Sequence, residues 1–213
     1  MLRLRIDFAK ENPIRFIGHL DLFRTWERAF RRAQLPLSYT QGFKHHPRLN
    51  IASALPLGFT SSNEIMDVWL EKDIPCAVVQ EQLQSSLPVG LNINSIKPVS
   101  LSEPALQVLL IGSDYRVIFL EEVEYLDQLI TQLLKQVSIP LLRHEKLTDI
   151  RPLIFSLSLL PNDYNGNQRL NMRLSSSQDK NLRPDEVLKI LGIDPALAIF
   201  HRYKLIFKND QSE

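Results

Sequence analysis

The spacing of apolar side chains predicts the same order of elements in each half of the chain. In the first half, apolar and charged residues alternate over residues 2–9, which is the period of a half-buried strand. The period becomes helical between His19 and Gln34, and Leu35-Pro36 ends that helix. We expect strands over residues 2–9, 50–55, 64–71 and 91–96, and helices over residues 19–34 and 75–87. This strand-helix-strand-strand-helix-strand order is typical of a ferredoxin-like unit.

The first predicted helix has one apolar side that should face the sheet. Its members recur at helical spacing: Leu20, Phe23, Ala29, Phe30 and Ala33. Trp26 is predicted to lie at the border of this side.

The second half of the chain repeats the pattern. Strands are predicted over residues 107–111 and 115–120, with Gly112-Ser113-Asp114 as a turn between them. A helix over residues 124–137 follows, then a hairpin of residues 150–159 and 169–175 around a polar loop. Arg183-Pro184 should open a short helix through Ile190, and residues 198–207 should form the last strand.

These patterns predict an α+β fold of two ferredoxin-like (βαββαβ) subdomains, in which antiparallel sheets carry helices on one face. We expect a basic N-terminal subdomain over residues 1–98, a linker over 99–104 and a C-terminal subdomain over 105–213. An alternative is that the second copy extends the sheet of the first.

Composition excludes several classes of protein. The chain is 44% hydrophobic and 23% charged, as globular domains are, and it has no apolar run of the roughly 18 residues that a membrane span needs. Its single cysteine, Cys76, forms no internal disulfide and cannot build a multi-thiolate metal or iron–sulfur site. We therefore expect a cytoplasmic protein with no resident cofactor, no metal and no membrane partner.

Positive charge is concentrated at the start of the chain. The net charge is +1, but residues 1–50 contain ten Lys and Arg against four Asp and Glu, which leaves −5 for the remainder. Such a block favours one face that binds an anionic partner, with ordinary solvated charges as the alternative.

Four arginines lie on the first predicted helix, namely Arg24, Arg28, Arg31 and Arg32. The first three are spaced i, i+4 and i+7, so their guanidinium groups should emerge along one stripe. Guanidinium groups match phosphate oxygens, which favours binding to a nucleic-acid backbone. The alternatives are a solvated face, or pairing with Glu27 and with the acidic remainder of the chain.

The loop over residues 42–48 mixes an aromatic ring, cations and imidazoles, which suits single-stranded nucleic acid. Its candidate binding residues are Phe43, Lys44, His46 and Arg48. Phe43 could instead belong to the core, and His45 and His46 could bind a metal, although adjacent residues rarely direct both rings to one ion. Histidine can also transfer protons, so His19, His45 and His46 are catalytic candidates.

Several ordered segments resemble the radical-SAM-linked (radical-SAM-associated) family of unknown function. They are Arg15-Phe16-Ile17-Gly18-His19-Leu20-Asp21-Leu22, Arg28-Ala29-Phe30-Arg31-Arg32-Ala33-Gln34-Leu35-Pro36-Leu37, Gln41-Gly42-Phe43 with His46-Pro47-Arg48, Ala52-Ser53-Ala54-Leu55-Pro56-Leu57-Gly58, Thr148-Asp149-Ile150-Arg151-Pro152 and Leu182-Arg183-Pro184-Asp185-Glu186-Val187-Leu188. The family usually has Ser where this chain has Gly18, and Asn-Pro where it has Lys44-His45. Asp149 and Arg151 are predicted to form a buried or inter-domain ion pair.

Members of that family occur free or as C-terminal extensions of B12-binding radical SAM proteins. The resemblance implies a radical SAM enzyme as partner and, through gene neighbours such as ribonuclease E/G, RNA or RNA-processing proteins as further partners. It implies no activity. We therefore predict an accessory module that binds RNA or another anionic substrate through its basic helix and loop. The alternatives are a metal-free RNA-cleaving or RNA-modifying enzyme that uses histidines, and a protein-binding scaffold.

Overall fold

The computed structural model describes residues 1–41, 45–143 and 145–208. The chain divides into two compact units, Met1–Leu109 and a second that begins at Leu110. Each unit contains an antiparallel sheet with helices on one face, so the predicted α+β fold is confirmed. The expected linker over residues 99–104 stays a prediction.

The first unit has the strand order of a ferredoxin-like fold. Its elements are β1 (Leu2–Lys10), α1 (His19–Arg32), β2 (Leu49–Ile51), β3 (Thr60–Leu70), α2 (Cys76–Gln84), β4 (Leu91–Val99) and α3 (Leu106–Leu109). β1 pairs with β3 and β4, and β3 pairs with β2, all antiparallel, which gives the order β4-β1-β3-β2. The predicted strand over residues 107–111 was wrong, because α3 occupies most of this range and the next strand begins only at Leu110.

The core of the first unit lies between its sheet and its helices. Leu4 pairs with Val68 and Ile6 with Met66 across β1 and β3, and all four side chains are fully buried. Trp26 packs against them from α1, with its ring edge-on to Phe8 at 4.9 Å between centroids. Since side chains alternate along a strand, Arg3, Arg5 and Asp67 are directed to the opposite face of the sheet.

The second unit repeats the same topology. Its elements are β5 (Leu110–Phe119), α4 (Leu126–Lys135), β6 (Pro140–Arg143), β7 (Lys146–Asp149), β8 (Ile154–Leu160), β9 (Arg169–Ser175), α5 (Pro184–Ile190) and β10 (Ala198–Phe207). β5 pairs with β10 and β9, and β9 pairs with β8, all antiparallel, which gives the order β10-β5-β9-β8. β6 and β7 form a separate hairpin between α4 and β8.

In the second unit, the sequence pattern gave one wrong prediction and missed one element. The predicted turn at Gly112 is part of β5, because Gly112 pairs with Ser175 within the sheet. A Cβ atom at Gly112 would lie 3.1 Å from both the Leu174 carbonyl oxygen and Cε2 of Phe155, so close packing explains this glycine. The β6–β7 hairpin was missed because its strands are short, and Leu142 and Leu147 are exposed in place of an inward-facing apolar row.

Within the described residues, no helix combines the length and apolar character that crossing a bilayer requires.

Candidate nucleic-acid interface

Helix α1 directs one face to the core and the opposite face to solvent. Its buried residues are Leu22, Trp26, Ala29 and Phe30. This corrects the predicted apolar side: Trp26 lies at its centre, Leu20 is 72% exposed and Phe23 is only half-buried. At 100° per residue, Arg24, Arg28 and Arg31 lie opposite Trp26, and all three are exposed. We call these three arginines the α1 surface.

Two members of the α1 surface carry intrahelical partners. Arg24 Nη1 lies 3.4 Å from Asp21 Oδ1, and both side chains are about two-thirds exposed. Arg31 Nη2 lies 2.6 Å from Glu27 Oε1, with the arginine 62% exposed. Exposed pairs of this kind contribute about 0–1 kcal/mol, so a phosphate can replace the carboxylate. Within the described residues, Arg28 has no ion pair or hydrogen bond through its side chain.

Arg31 also connects α1 to the loop that follows. A hydrogen bond with the Tyr39 side chain, together with the Glu27 carboxylate, raises the pKa of Arg31. Tyr39 forms an antiparallel bridge with Pro47, the neighbour of Arg48. The C-terminal end of α1 and the predicted binding loop are therefore physically joined through Tyr39.

Arg32 lies one helical turn after Arg28 and makes a contact outside α1. Its Nη2 donates to the Ser86 carbonyl oxygen over 2.6 Å, which ties the end of α1 to the segment after α2. Arg32 therefore makes a structural contact while it remains exposed, and its role in anion binding stays a prediction.

The predicted loop is described only in part, since Phe43 and Lys44 lie outside the described residues. His45 and His46 are both exposed, and Nδ1 of His45 lies 3.0 Å from the Thr40 carbonyl oxygen. The backbone N–H of His46 donates to Thr40 Oγ1 over 3.1 Å, while the Thr40 N–H donates back to the His46 carbonyl. These bonds close the base of the loop and hold both imidazoles at the surface.

Arg48 stacks on an aromatic ring that the sequence pattern did not single out. Its Cζ lies 4.8 Å from the centroid of Trp69, and Cζ of Arg3 lies 5.0 Å from the same ring. Cation–π contact of this kind fixes a guanidinium while leaving its N–H edges available. Alternation could have found Trp69, because it stands between the buried Val68 and Leu70 and so belongs to the other face of β3.

The structure separates His19 from the other two histidines. His19 begins α1, and His45 and His46 lie in the loop after its end. Lys10, at the end of β1, contacts the Ile17 carbonyl near His19, whereas Arg48, near His46, contacts Met1 before the start of β1. The nine residues of β1 span about 30 Å, so His19 lies at the opposite end of this strand from His45 and His46.

Three of the ten basic residues in the first fifty, Arg3, Arg5 and Lys10, are fully or largely buried. Asp67, fully buried, accepts hydrogen bonds from both Arg3 and Arg5. Lys10 is 1% exposed and its Nζ donates to the carbonyl oxygens of Arg15 and Ile17 at 3.0 and 3.1 Å. The surface of the first unit therefore carries less positive charge than the sequence count indicates.

Most of the chain matches one known protein family. A family described as an uncharacterized protein conserved in bacteria, DUF2344, matches residues 3–184. The chain belongs to the DUF2344 family. The predicted membership in a family of unknown function is thereby confirmed, while the link of this DUF2344 chain to radical SAM enzymes stays a prediction. No curated protein matches the chain.

Solved structures resemble the DUF2344 chain only distantly. A Cbf5-Nop10-Gar1 complex gives a TM-score of 0.48 at 10% identity, covering 95% of this chain and 48% of the matched chain. An archaeal box H/ACA sRNP Nop10-Cbf5 complex gives 0.46 at 8% identity, with 95% and 47% covered. The chain thus spans about half the length of these matched chains. A putative glycine cleavage system transcriptional repressor gives 0.24 at 13% identity, with 97% and 96% covered.

Proposed function

We propose that this protein is a cytoplasmic accessory module that binds single-stranded RNA through the α1 surface and the loop that follows α1. The observation that carries the proposal is the position of Arg24, Arg28 and Arg31, which lie in one exposed stripe opposite the buried face of the helix. Adjacent cations at this spacing repel each other, and a run of phosphates offsets that repulsion.

The contacts at the end of α1 extend this stripe toward the loop. Tyr39 connects Arg31 to the segment that contains Arg48, and Trp69 supports the Arg48 guanidinium. A single strand of RNA that runs along α1 would therefore reach the oriented guanidinium group of Arg48, beside the exposed His45 and His46. Aromatic and cationic groups in such an arrangement are typical of single-strand binding surfaces.

The distribution of histidines supports binding over catalysis. A ribonuclease that uses imidazole as acid and base needs both rings within hydrogen-bond reach of one phosphodiester. His19 lies at the opposite end of β1 from the other candidates, and His45 is already within hydrogen-bond distance of the Thr40 carbonyl.

We further propose a radical SAM enzyme as the protein partner, on the resemblance of the segments around Arg15–Leu22 and Ala52–Gly58. Purification of the tagged chain from native extract, followed by identification of bound protein and RNA, tests this partner. Recovery of protein alone, with no RNA above background, would favour the protein-binding scaffold.

The RNA proposal is tested by titrating a single-stranded oligoribonucleotide at several salt concentrations. About four phosphate contacts predict a slope of about −3 for log affinity against log salt, at about −0.7 per contact. A flat salt response, or no binding at low salt, would contradict the proposal.

A further inference from the structure

The sheet of the second unit has a polar face opposite its helices. Val117 of β5 and Leu170 and Met172 of β9 are fully buried on the helix side. The alternate positions Arg116 and Arg173 are exposed, so they lie on the other face.

A tyrosine ring lies among the polar side chains of this face. Cζ of Arg116 lies 5.6 Å from the ring centroid of Tyr203, which is half-buried. Tyr203 Oη donates to Asn171 Oδ1 over 2.8 Å, which fixes the ring and leaves the Asn171 amide as a donor. Asn171 pairs with Arg116 across β9 and β5, so the three groups occupy neighbouring positions on three strands.

The charge of this face differs from that of its surroundings. Arg116, Arg169 and Arg173 share this face with one carboxylate, Asp114, although residues 110–213 as a whole contain 13 Lys and Arg against 14 Asp and Glu, a net charge of −1. Arg173 donates from Nε and Nη2 to the two oxygens of Asp114 at 2.7 and 2.9 Å, yet its side chain stays 50% exposed. The face therefore retains oriented guanidinium groups that an anion can contact.

On the corresponding sheet face of the first unit, the arginines are paired and covered. There Arg3 and Arg5 are held by Asp67, and Arg3 also donates to the carbonyl oxygens of Ser100 and Pro104 at 3.3 and 3.0 Å. The segment after β4 thus covers cations that the second unit leaves at its surface.

We infer that the polar sheet face of the second unit, formed by Arg116, Arg169, Asn171, Arg173 and Tyr203, is a second binding surface for single-stranded RNA. Tyr203 stacks one base, Asn171 donates to a base edge, and the arginines contact the neighbouring phosphates. Aromatic side chains on a sheet stack unpaired bases, and cations beside them hold the backbone. The inference rests on the RNA ligand of the proposed function and adds a site to it.

The test uses the full chain and a single-stranded oligoribonucleotide that contains 4-thiouridine. Photocrosslinking to the unaltered protein should mark peptides that contain Tyr203 and residues 169–173. In binding titrations, Tyr203→Ala should lower affinity about 5-fold to 150-fold, the range expected for one stacked base. Tyr203→Phe keeps the ring and should lose less affinity than Tyr203→Ala, because stacking is retained while the hydrogen bond to Asn171 is lost.

Tyr164→Ala is the matched control, because Tyr164 is 96% exposed in the loop between β8 and β9. If Tyr203→Ala melts at a lower temperature than the unaltered protein, Arg116→Ala replaces it in the titrations, because Arg116 is exposed. Affinity that falls equally for Tyr164→Ala, or crosslinks that avoid β9 and β10, would overturn the inference.

A comparison with Arg28→Ala/Arg31→Ala separates the two RNA surfaces. Loss of affinity only in the α1 variant supports the proposed function and overturns the sheet surface. Loss only in the Tyr203 variant supports the sheet surface and overturns the α1 surface. No binding by the unaltered protein overturns both.

Discussion

Arg3 and Asp67 form an ion pair inside the first unit, with Arg3 Nε donating to Asp67 Oδ2 over 3.1 Å. Their side chains are 3% and 0% exposed. Arg5 shares the same carboxylate from the next position on that face of β1, with its Nε 2.8 Å from Asp67 Oδ1. One buried carboxylate thus pairs with two cations that a charge count assigns to the surface, and Glu103 Oε1, 2.8 Å from Arg5 Nη1, supplies a second negative charge.

We expect Asp67→Asn to destabilise the protein by about 3–5 kcal/mol, since removing one partner leaves buried charge uncompensated. Urea unfolding should show a lower midpoint for the variant. The control is Asp21→Asn, because Asp21 forms a similar arginine pair with its side chain 64% exposed, and it should change stability by at most about 0.5 kcal/mol. Equal midpoints for Asp67→Asn and Asp21→Asn would contradict the internal role of Asp67.

This ion pair marks a limit of sequence-based prediction. Alternation correctly predicted the strand that contains Arg3 and Arg5, and it placed both on the polar face. It could not predict that Asp67, more than sixty residues away, pairs with them, because register between distant strands depends on the tertiary fold. The excess charge of residues 1–50 therefore overstated the cationic surface.

Trp26→Ala should cost about 3–5 kcal/mol, because Trp26 is fully buried and packs against Phe8 and Phe30. Leu20→Ala, on the same helix but 72% exposed, should stay within about 0.5 kcal/mol. Thermal melts of the two variants compare the faces directly. A larger loss for Leu20→Ala would mean that the orientation of α1 described above is wrong.

The positions of Leu20 and Trp26 also explain why the sequence pattern predicted the wrong buried face of α1. Leu20, Phe23 and Phe30 follow helical spacing, and so do Leu22, Trp26, Ala29 and Phe30. Both stripes satisfy the period, and only packing against β1 and β3 selects the second. The arginine stripe was predicted correctly because positions 24, 28 and 31 lie opposite the centre of the true buried face.

Asp149 should make the stability of the second unit depend on pH in the acidic range. Its Oδ1 accepts the backbone N–H groups of Ile139 and Arg151 at 2.8 and 3.0 Å, which lower the pKa of Asp149 below its ordinary value of 3.8. A lowered pKa in the folded state contributes stability that is present above pH 3.8 and is lost as pH falls below it toward the folded-state pKa.

The predicted buried ion pair with Arg151 was wrong, because Asp149 is exposed and Arg151 donates to the carbonyls of Leu134 and Ile154.

Urea midpoints measured between pH 5 and pH 2 check this expectation. Asp149→Asn should remove part of the acid sensitivity, whereas Asp179→Asn, an exposed carboxylate between β9 and α5, should leave it unchanged. The role assigned to Asp149 fails if both variants keep the full acid dependence of the unaltered protein.

His45→Ala/His46→Ala should weaken RNA binding by a few-fold and remove no catalysis, because both rings lie at the surface and His19 lies at the opposite end of β1. The measurement is RNA binding together with a cleavage assay on labelled RNA, in the absence of any partner. Loss of a general acid or base lowers a rate by about 10²–10⁴-fold. If the unaltered protein cleaves RNA, and the double variant loses cleavage by this factor while it still binds RNA, the protein is an enzyme.

Arg28→Ala/Arg31→Ala should reduce the salt dependence of RNA binding and leave the fold intact. Both side chains are exposed on the outer face of α1, so thermal stability should change by at most about 0.5 kcal/mol per site. Loss of two phosphate contacts should flatten the slope of log affinity against log salt by about 1.4. Lys135→Ala/Lys189→Ala removes the same charge from exposed positions on α4 and α5, and it should leave the slope unchanged. A collapse of the fold in the arginine variant would mean that the stripe is a structural ion-pair network, and an unchanged slope would place the RNA surface elsewhere.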